Sequence, residues 1–132
     1  MSDDLQLSDL QLAIMRALWE RGEASAAEVQ SALADGGRDL APTTVSTLLA
    51  RLVKRGLVTA RREGRGFHYL PAIAEGEIRT SMISRVTEHL FDGDVTALVS
   101  HLLRRSEISR DELAEVRRLI LEAERAKEND DE

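Results

Sequence analysis

Between Pro42 and Pro71 the sequence changes character once, at Gly56, from helical spacing of apolar residues to strand signals, and that change constrains the fold more than any other feature. Val45, Leu48, Leu49, Leu52 and Val53 recur at three- and four-residue intervals, so a helix here buries one stripe. Pro42 suits the first helical position, where its missing N–H would be unpaired anyway. Gly56 suits the position just past the end, where a left-handed residue is wanted. Strand signals then run over 57–62 and 67–70, separated by a Glu63-Gly-Arg-Gly66 turn and closed by Pro71. The outward face of the helix holds Thr43, Thr44, Ser46, Thr47, Arg51 and Lys54, and the hairpin holds Arg61, Arg62 and Arg65.

Upstream, Ser8…Gln11 and Ser25…Glu28 have capping-box spacing and predict helices over about 9–21 and 26–34. The first buries Leu12, Met15, Ala17, Leu18 and Trp19 and stops at Gly22. The second buries Ala27, Val29 and Leu33 and is followed by a flexible Asp35-Gly-Gly-Arg38 turn, with Leu40 packing near the entry to the third helix. Helix, helix, helix, hairpin is the order of a winged helix-turn-helix. After Pro71 the pattern is helical throughout: 74–90, a short helix capped by Asp94, and a longer one opened by Ser109…Glu112. The fold class is therefore mainly α with a small β-hairpin. A DNA-reading domain over 1–71 precedes a helical dimerisation region over 72–126 and an acidic disordered tail over 127–132.

The three later helices carry narrow apolar stripes, and about sixty residues make a poor solitary core. Ile78, Met82, Val86, Leu90, Leu98, Leu102, Leu113, Val116 and Ile120 are accordingly expected to pair with a second copy.

The chain has 132 residues and a net charge of −6, which looks wrong for a nucleic-acid binder until it is divided along the chain. Residues 1–71 hold nine basic and nine acidic side chains, whereas 72–132 hold nine and fifteen. From Arg51 to Arg65 there are six basic residues against Glu63 alone. A local patch, not the global sum, steers binding to phosphate. Such a run is often only a solvated face, but here it spans one helix end, the first strand and the tip of a hairpin. Hydroxyls at the helix start can reach base edges or phosphates, and Arg51, Lys54, Arg61, Arg62 and Arg65 can bond phosphate or enter a groove. Arg65, between two glycines at the hairpin tip, suits a narrow minor groove.

Zero cysteines remove disulfides, zinc fingers and thiol-based sensing. His68, His89 and His101 are too widely placed to suggest a metal site, and no cofactor is expected. No nucleophile–base order or phosphate loop stands out, so an enzyme is not expected. No apolar run approaches a membrane span and the acidic Met1-Ser-Asp-Asp4 start lacks the basic region of a signal peptide, which points to a cytoplasmic protein without membrane insertion.

Four stretches together resemble the penicillinase-repressor (BlaI/MecI-like) family of winged-helix regulators over about residues 5–125. They are Leu10-Gln-Leu-Ala-Ile-Met-Arg-Ala-Leu-Trp19; Thr43-Thr-Val with Leu49-Ala-Arg-Leu-Val-Lys-Arg-Gly56-Leu; Glu63-Gly-Arg-Gly-Phe-His-Tyr-Leu-Pro71; and Leu90-Phe-Asp-Gly-Asp-Val-Thr-Ala-Leu-Val-Ser-His-Leu-Leu103. The resemblance implies a homodimeric repressor on two-fold operators of double-stranded DNA. It also implies induction by a cut in the C-terminal region after activation of a membrane-bound sensor protease. The aligned position is His101-Leu102, where the well-known members carry Asn-Phe. The family's copper-responsive branch carries a C-terminal cysteine cluster, which this chain lacks. Two other readings fit the same fold: an adaptor that binds an acidic partner protein, and a regulator that senses a small molecule between the tail helices.

Overall fold

Reciprocal capping starts the first two helices, as the serine spacing requires. In the computed structural model, which describes residues 6–105 and 107–130, the Ser8 hydroxyl accepts from the Gln11 N–H and the Gln11 side chain accepts from the Ser8 N–H, both at 3.1 Å, opening α1 (Asp9–Arg21). Ser25 and Glu28 repeat the arrangement at 3.2 and 2.9 Å. Ser25 ends a two-residue strand, β1 (Ala24–Ser25), and caps α2 (Ala26–Asp35). α3 (Pro42–Lys54) has Pro42 at its first position. The hairpin is β2 (Val58–Glu63) and β3 (Gly66–Pro71), joined through Gly64 and Arg65, with Gly64 at φ 59°. The sheet order is β1-β3-β2, antiparallel throughout, with Ala24 opposite Tyr69 and Arg61 opposite His68. The strand β1, invisible to strand signals because of its length, makes the hairpin a three-stranded sheet.

α3 ends in a Schellman motif. The Leu57 N–H donates to the Leu52 carbonyl and the Gly56 N–H to the Val53 carbonyl, each at 3.0 Å, with Gly56 at φ 79°. Leu52 and Leu57 are both buried, which is the apolar contact that accompanies this cap.

Ile14, Met15 and Leu18 of α1, Val29 and Leu33 of α2, Val45, Leu49 and Leu52 of α3, and Ala24, Leu57, Val58 and Ile78 form one core. Leu12, Trp19, Leu40, Leu48 and Val53 pack against it half-buried. Ala27, expected inside, is exposed, because two residues before Val29 lies about 200° around the helix from the buried stripe.

Three further helices follow: α4 (Glu75–Phe91), α5 (Val95–Arg104) and α6 (Arg110–Asp130). The described residues fall into two compact units that divide between Val86 and Thr87, later than the boundary expected after Pro71. The Trp19 indole N–H donates to the Ile73 carbonyl at 2.9 Å, and Ile78 is 1% exposed within the first unit's core. Ile78 is thus taken from the residues expected to pair two copies: its side chain is spent inside one. Met82 is half-buried against the same core. In the second unit, no residue of α5 or α6 is buried among those described. Leu90 is 74% exposed, and Val95, Leu102, Leu113 and Ile120 are exposed as well.

The expected disordered tail is corrected as far as Asp130, which still belongs to α6. A Ser109–Glu112 capping box opens that helix, and Arg118 bridges Glu115 and Glu122 one turn to either side. Lys127 lies in its last turn, where a cation suits the helix dipole. Residues 131–132 of that tail, and the acidic start Met1–Asp4, lie outside the described residues. Among the described residues no helix is long and apolar enough to cross a membrane.

Ile78→Ala is expected to lower the stability of the first unit by about 2–5 kcal/mol, as truncation of a buried aliphatic does. Trp19, the one tryptophan, reports that unit alone, so the shift appears in its fluorescence during urea unfolding. An unchanged midpoint would return Ile78 to a role outside this core.

Candidate nucleic-acid interface

Burial of Val45, Leu49 and Leu52 leaves α3 only one way to face, and Thr43, Thr44, Ser46, Thr47, Arg51 and Lys54 are all exposed on the other side. Thr43, Thr44, Thr47, Leu48 and Arg51 line a groove of ≈ 280 Å³. The Thr47 hydroxyl donates to the Thr43 carbonyl at 2.9 Å. With its proton directed there, the Thr47 oxygen is left to face outward as an acceptor, the polarity that an amino group of adenine or cytosine complements.

The six basic residues between Arg51 and Arg65 divide by position. Arg55 turns back, donating to the Gln6 carbonyl at 2.7 Å and reaching Gln11 Oε1 at 3.5 Å, and so ties α3 to the start of α1. Arg51, Lys54 and Arg65 are exposed, the last at the hairpin tip. Arg62 lies over the Phe67 ring at 5.8 Å from its centroid, in the register that sets the two directly opposite. Such a contact contributes about 0.5–1 kcal/mol at an exposed site and holds the guanidinium in one place.

Arg61 differs from the other hairpin cations. Its Nη2 donates to both Glu23 carboxylate oxygens at 3.0 Å, and its Nη1 to Glu63. His68 Nδ1 lies 3.4 Å from the same Glu23. The Arg61 guanidinium, chiefly through its hydrogen bond, holds the Glu23 carboxyl below its usual range, and Glu23 in turn raises Arg61. Phe67 and Glu23 were not singled out by sequence. Phe67 gave a signal, a large aromatic inside a polar hairpin; Glu23 gave none, since its reach depends on β1.

The family model described as penicillinase repressor matches residues 7–122. The chain belongs to that family. Among relatives, the penicillinase repressor of Bacillus licheniformis is 27% identical over 89% of this chain and 91% of its own length. The transcriptional regulator BlaI of Mycobacterium tuberculosis is 32% identical over 90% of this chain and 86% of its own. A solution structure of monomeric Bacillus licheniformis BlaI in complex with the blaP half-operator is 35% identical, covers 55% of this chain and 87% of that one, and has a TM-score of 0.47. In this penicillinase-repressor family member, α3 and the basic hairpin are the winged-helix surface.

Arg62→Ala and Phe67→Leu are each expected to weaken duplex retention, Phe67→Leu by roughly two- to fivefold, the equivalent of one exposed cation–π contact. The double variant should cost no more than Arg62→Ala alone. Additive losses in that cycle would show that the ring does not act through the guanidinium.

Proposed function

We propose that this chain is a cytoplasmic, DNA-binding transcriptional repressor that acts as a homodimer, each copy setting α3 and the wing on one half of a two-fold operator. The observation that carries the reading is the segregation of α3. Val45, Leu49 and Leu52 of its apolar stripe are buried in the core, while its hydroxyls and cations stand exposed in line with a basic hairpin. Thr43, Thr44, Ser46 and Thr47 are assigned to sequence reading, and Arg51, Lys54, Arg62 and Arg65 to phosphate or groove contacts. Membership of the penicillinase repressor family supports the same role.

The second unit supplies the pairing surface in this reading. Leu90 is exposed near the end of α4, and Leu98, Leu102, Leu113, Val116 and Ile120 lie on α5 and α6, in which no described residue is buried. Three amphipathic helices gain most by covering such faces with a second copy of themselves. Pairing two readers makes the second half-site contact intramolecular, with gains of about 10²–10⁴ in affinity.

Release by a cut near His101-Leu102, after activation of a membrane-bound sensor protease, fits the same scheme. Both residues are exposed in α5, and the His101 ring lies edge-on to Phe91 at 6.0 Å. A cut there would sever Leu102, Leu103 and the whole of α6 from the reader, and with them much of the proposed pairing surface.

Arg65→Ala and Lys54→Ala are expected to weaken binding to every duplex and to lower the salt slope by about one per lost contact. Thr44→Ala should instead flatten the preference for operator over random DNA. If the two cation variants bound as tightly as the parent at low and moderate salt, the assignment of the basic face would fall. Half-sites selected from random duplexes should lie about one helical turn or a multiple apart.

A chain ending at His101 is expected to sediment as a monomer, to keep the Trp19-reported unfolding midpoint of the first unit, and to lose roughly 10²–10⁴ in operator affinity. Retained dimer together with retained affinity would remove cleavage as the switch.

A further inference from the structure

Of the five cations assigned from sequence to phosphate or groove contacts, four are exposed with no carboxylate clamp among the described residues, whereas Arg61 is clamped twice. Glu23 takes Nη2 with both oxygens at 3.0 Å and Glu63 takes Nη1, so both terminal nitrogens of the guanidinium are engaged. The three side chains sum to one negative charge, on the hairpin that otherwise presents cations. Their side chains remain between 42% and 51% exposed, and ion pairs this exposed contribute little to stability. A cluster that does little for the fold and lowers the positive charge of the wing has its effect on what the wing meets.

We infer that Glu23 and Glu63 are specificity-determining residues that hold Arg61 out of non-specific phosphate contact. The inference rests on the proposal that the wing binds duplex DNA. Contacts to phosphate carry no sequence information and supply nearly all non-specific affinity. Removing one cation from that set weakens binding to random DNA, so a larger share of total affinity comes from the base-reading hydroxyls of α3. Specificity of this kind is built by placing a repulsive element against the wrong partner. The position suits the role. Arg61 lies three residues before the turn, within about 10 Å of the wing tip along a strand, close enough for a freed side chain to reach a phosphate flanking the groove that Arg65 enters. Glu23 reaches it only because β1 pairs with β3 and brings the residue before Ala24 across the sheet.

The test compares the full chain with Glu23→Gln, Arg61→Gln and the double variant. Each is titrated against a mixed-sequence duplex and against a selected operator between 50 and 200 mM salt. Glu23→Gln is expected to tighten binding to the mixed-sequence duplex by roughly three- to tenfold at the lower salt, with a slope steeper by about one, so that the gain shrinks about three- to fourfold across the range. Its preference for operator should narrow. Arg61→Gln should leave mixed-duplex binding near that of the parent, and in its background Glu23→Gln should lose most of its effect, which separates release of Arg61 from simple loss of a negative charge. Glu63→Gln, an independent route to the same release, should shift affinity in the same direction. Trp19-reported unfolding midpoints confirm that each variant is folded. The inference is overturned if neither Glu→Gln change tightens mixed-duplex binding, or if Arg61→Gln alone lowers the salt slope by about one, since Arg61 would then already be on phosphate. A parent that retains no duplex at all defeats the DNA-binding reading itself, and this inference with it.

Discussion

The hydrogen bond from the Leu57 N–H to the Leu52 carbonyl, at 3.0 Å, ends α3 and turns the chain into β2 in one step. The left-handed Gly56 makes that turn possible, and burial of Leu52 and Leu57 on either side of it fixes its direction. Because the wing leaves α3 through a cap rather than through a loop, the exposed face of the helix and the basic hairpin are held in a set relation within the first unit. Loops would leave that relation to fluctuation, and a surface that must match both a groove and its flanking phosphates gains from having it fixed.

The legible parts of the fold are those whose determinants are local. Three Ser-x-x-Gln/Glu boxes, Pro42, Gly56 and the Gly64-Arg65 turn each act within a few residues, and each element they delimit appears within a residue or two of its expected place. What escaped depends on residues far apart in sequence. β1 has two residues and exists only because Tyr69 and His68 lie beside it. Ile78 reads as one position of a four-residue periodicity shared with Met82, Val86 and Leu90, and nothing local says that the first half of α4 is claimed by the core while Leu90 is not. The bond from Trp19 to the Ile73 carbonyl, 54 positions away, and the packing of Ile73, Ile78 and Met82 on the core hold that first half inward.

The same distinction applies to the surface. Which residues of α3 face outward followed from helical period alone, since one stripe was apolar. Which hairpin cations are available did not, because a strand's charges all read alike until their neighbours across the sheet are known. Arg62 finds an aromatic ring from the paired strand and Arg61 finds a carboxylate from beyond it. A count of basic residues therefore overstates the working charge of the wing. Arg55 and Arg61 each spend hydrogen-bonding groups on the protein itself.

Charge also separates the labour of the two halves of the chain. Residues 72–132 carry fifteen acidic and nine basic side chains, an excess of six, while residues 1–71 are balanced overall and locally basic where the wing is. A segment with that acidic excess gains nothing by lying against phosphate, so it adds little affinity through direct contact. If the second unit strengthens DNA binding, it must do so through the geometry of pairing, by supplying another reader at high effective concentration. Affinity obtained that way is lost all at once when pairing is lost, whereas affinity spread over direct contacts fades one contact at a time. A marginal set of exposed apolar helices is thus well matched to a switch. In the proposed dimer, breaking it would leave the reader folded and its individual contacts intact, yet remove the multiplication gained from a second half-site.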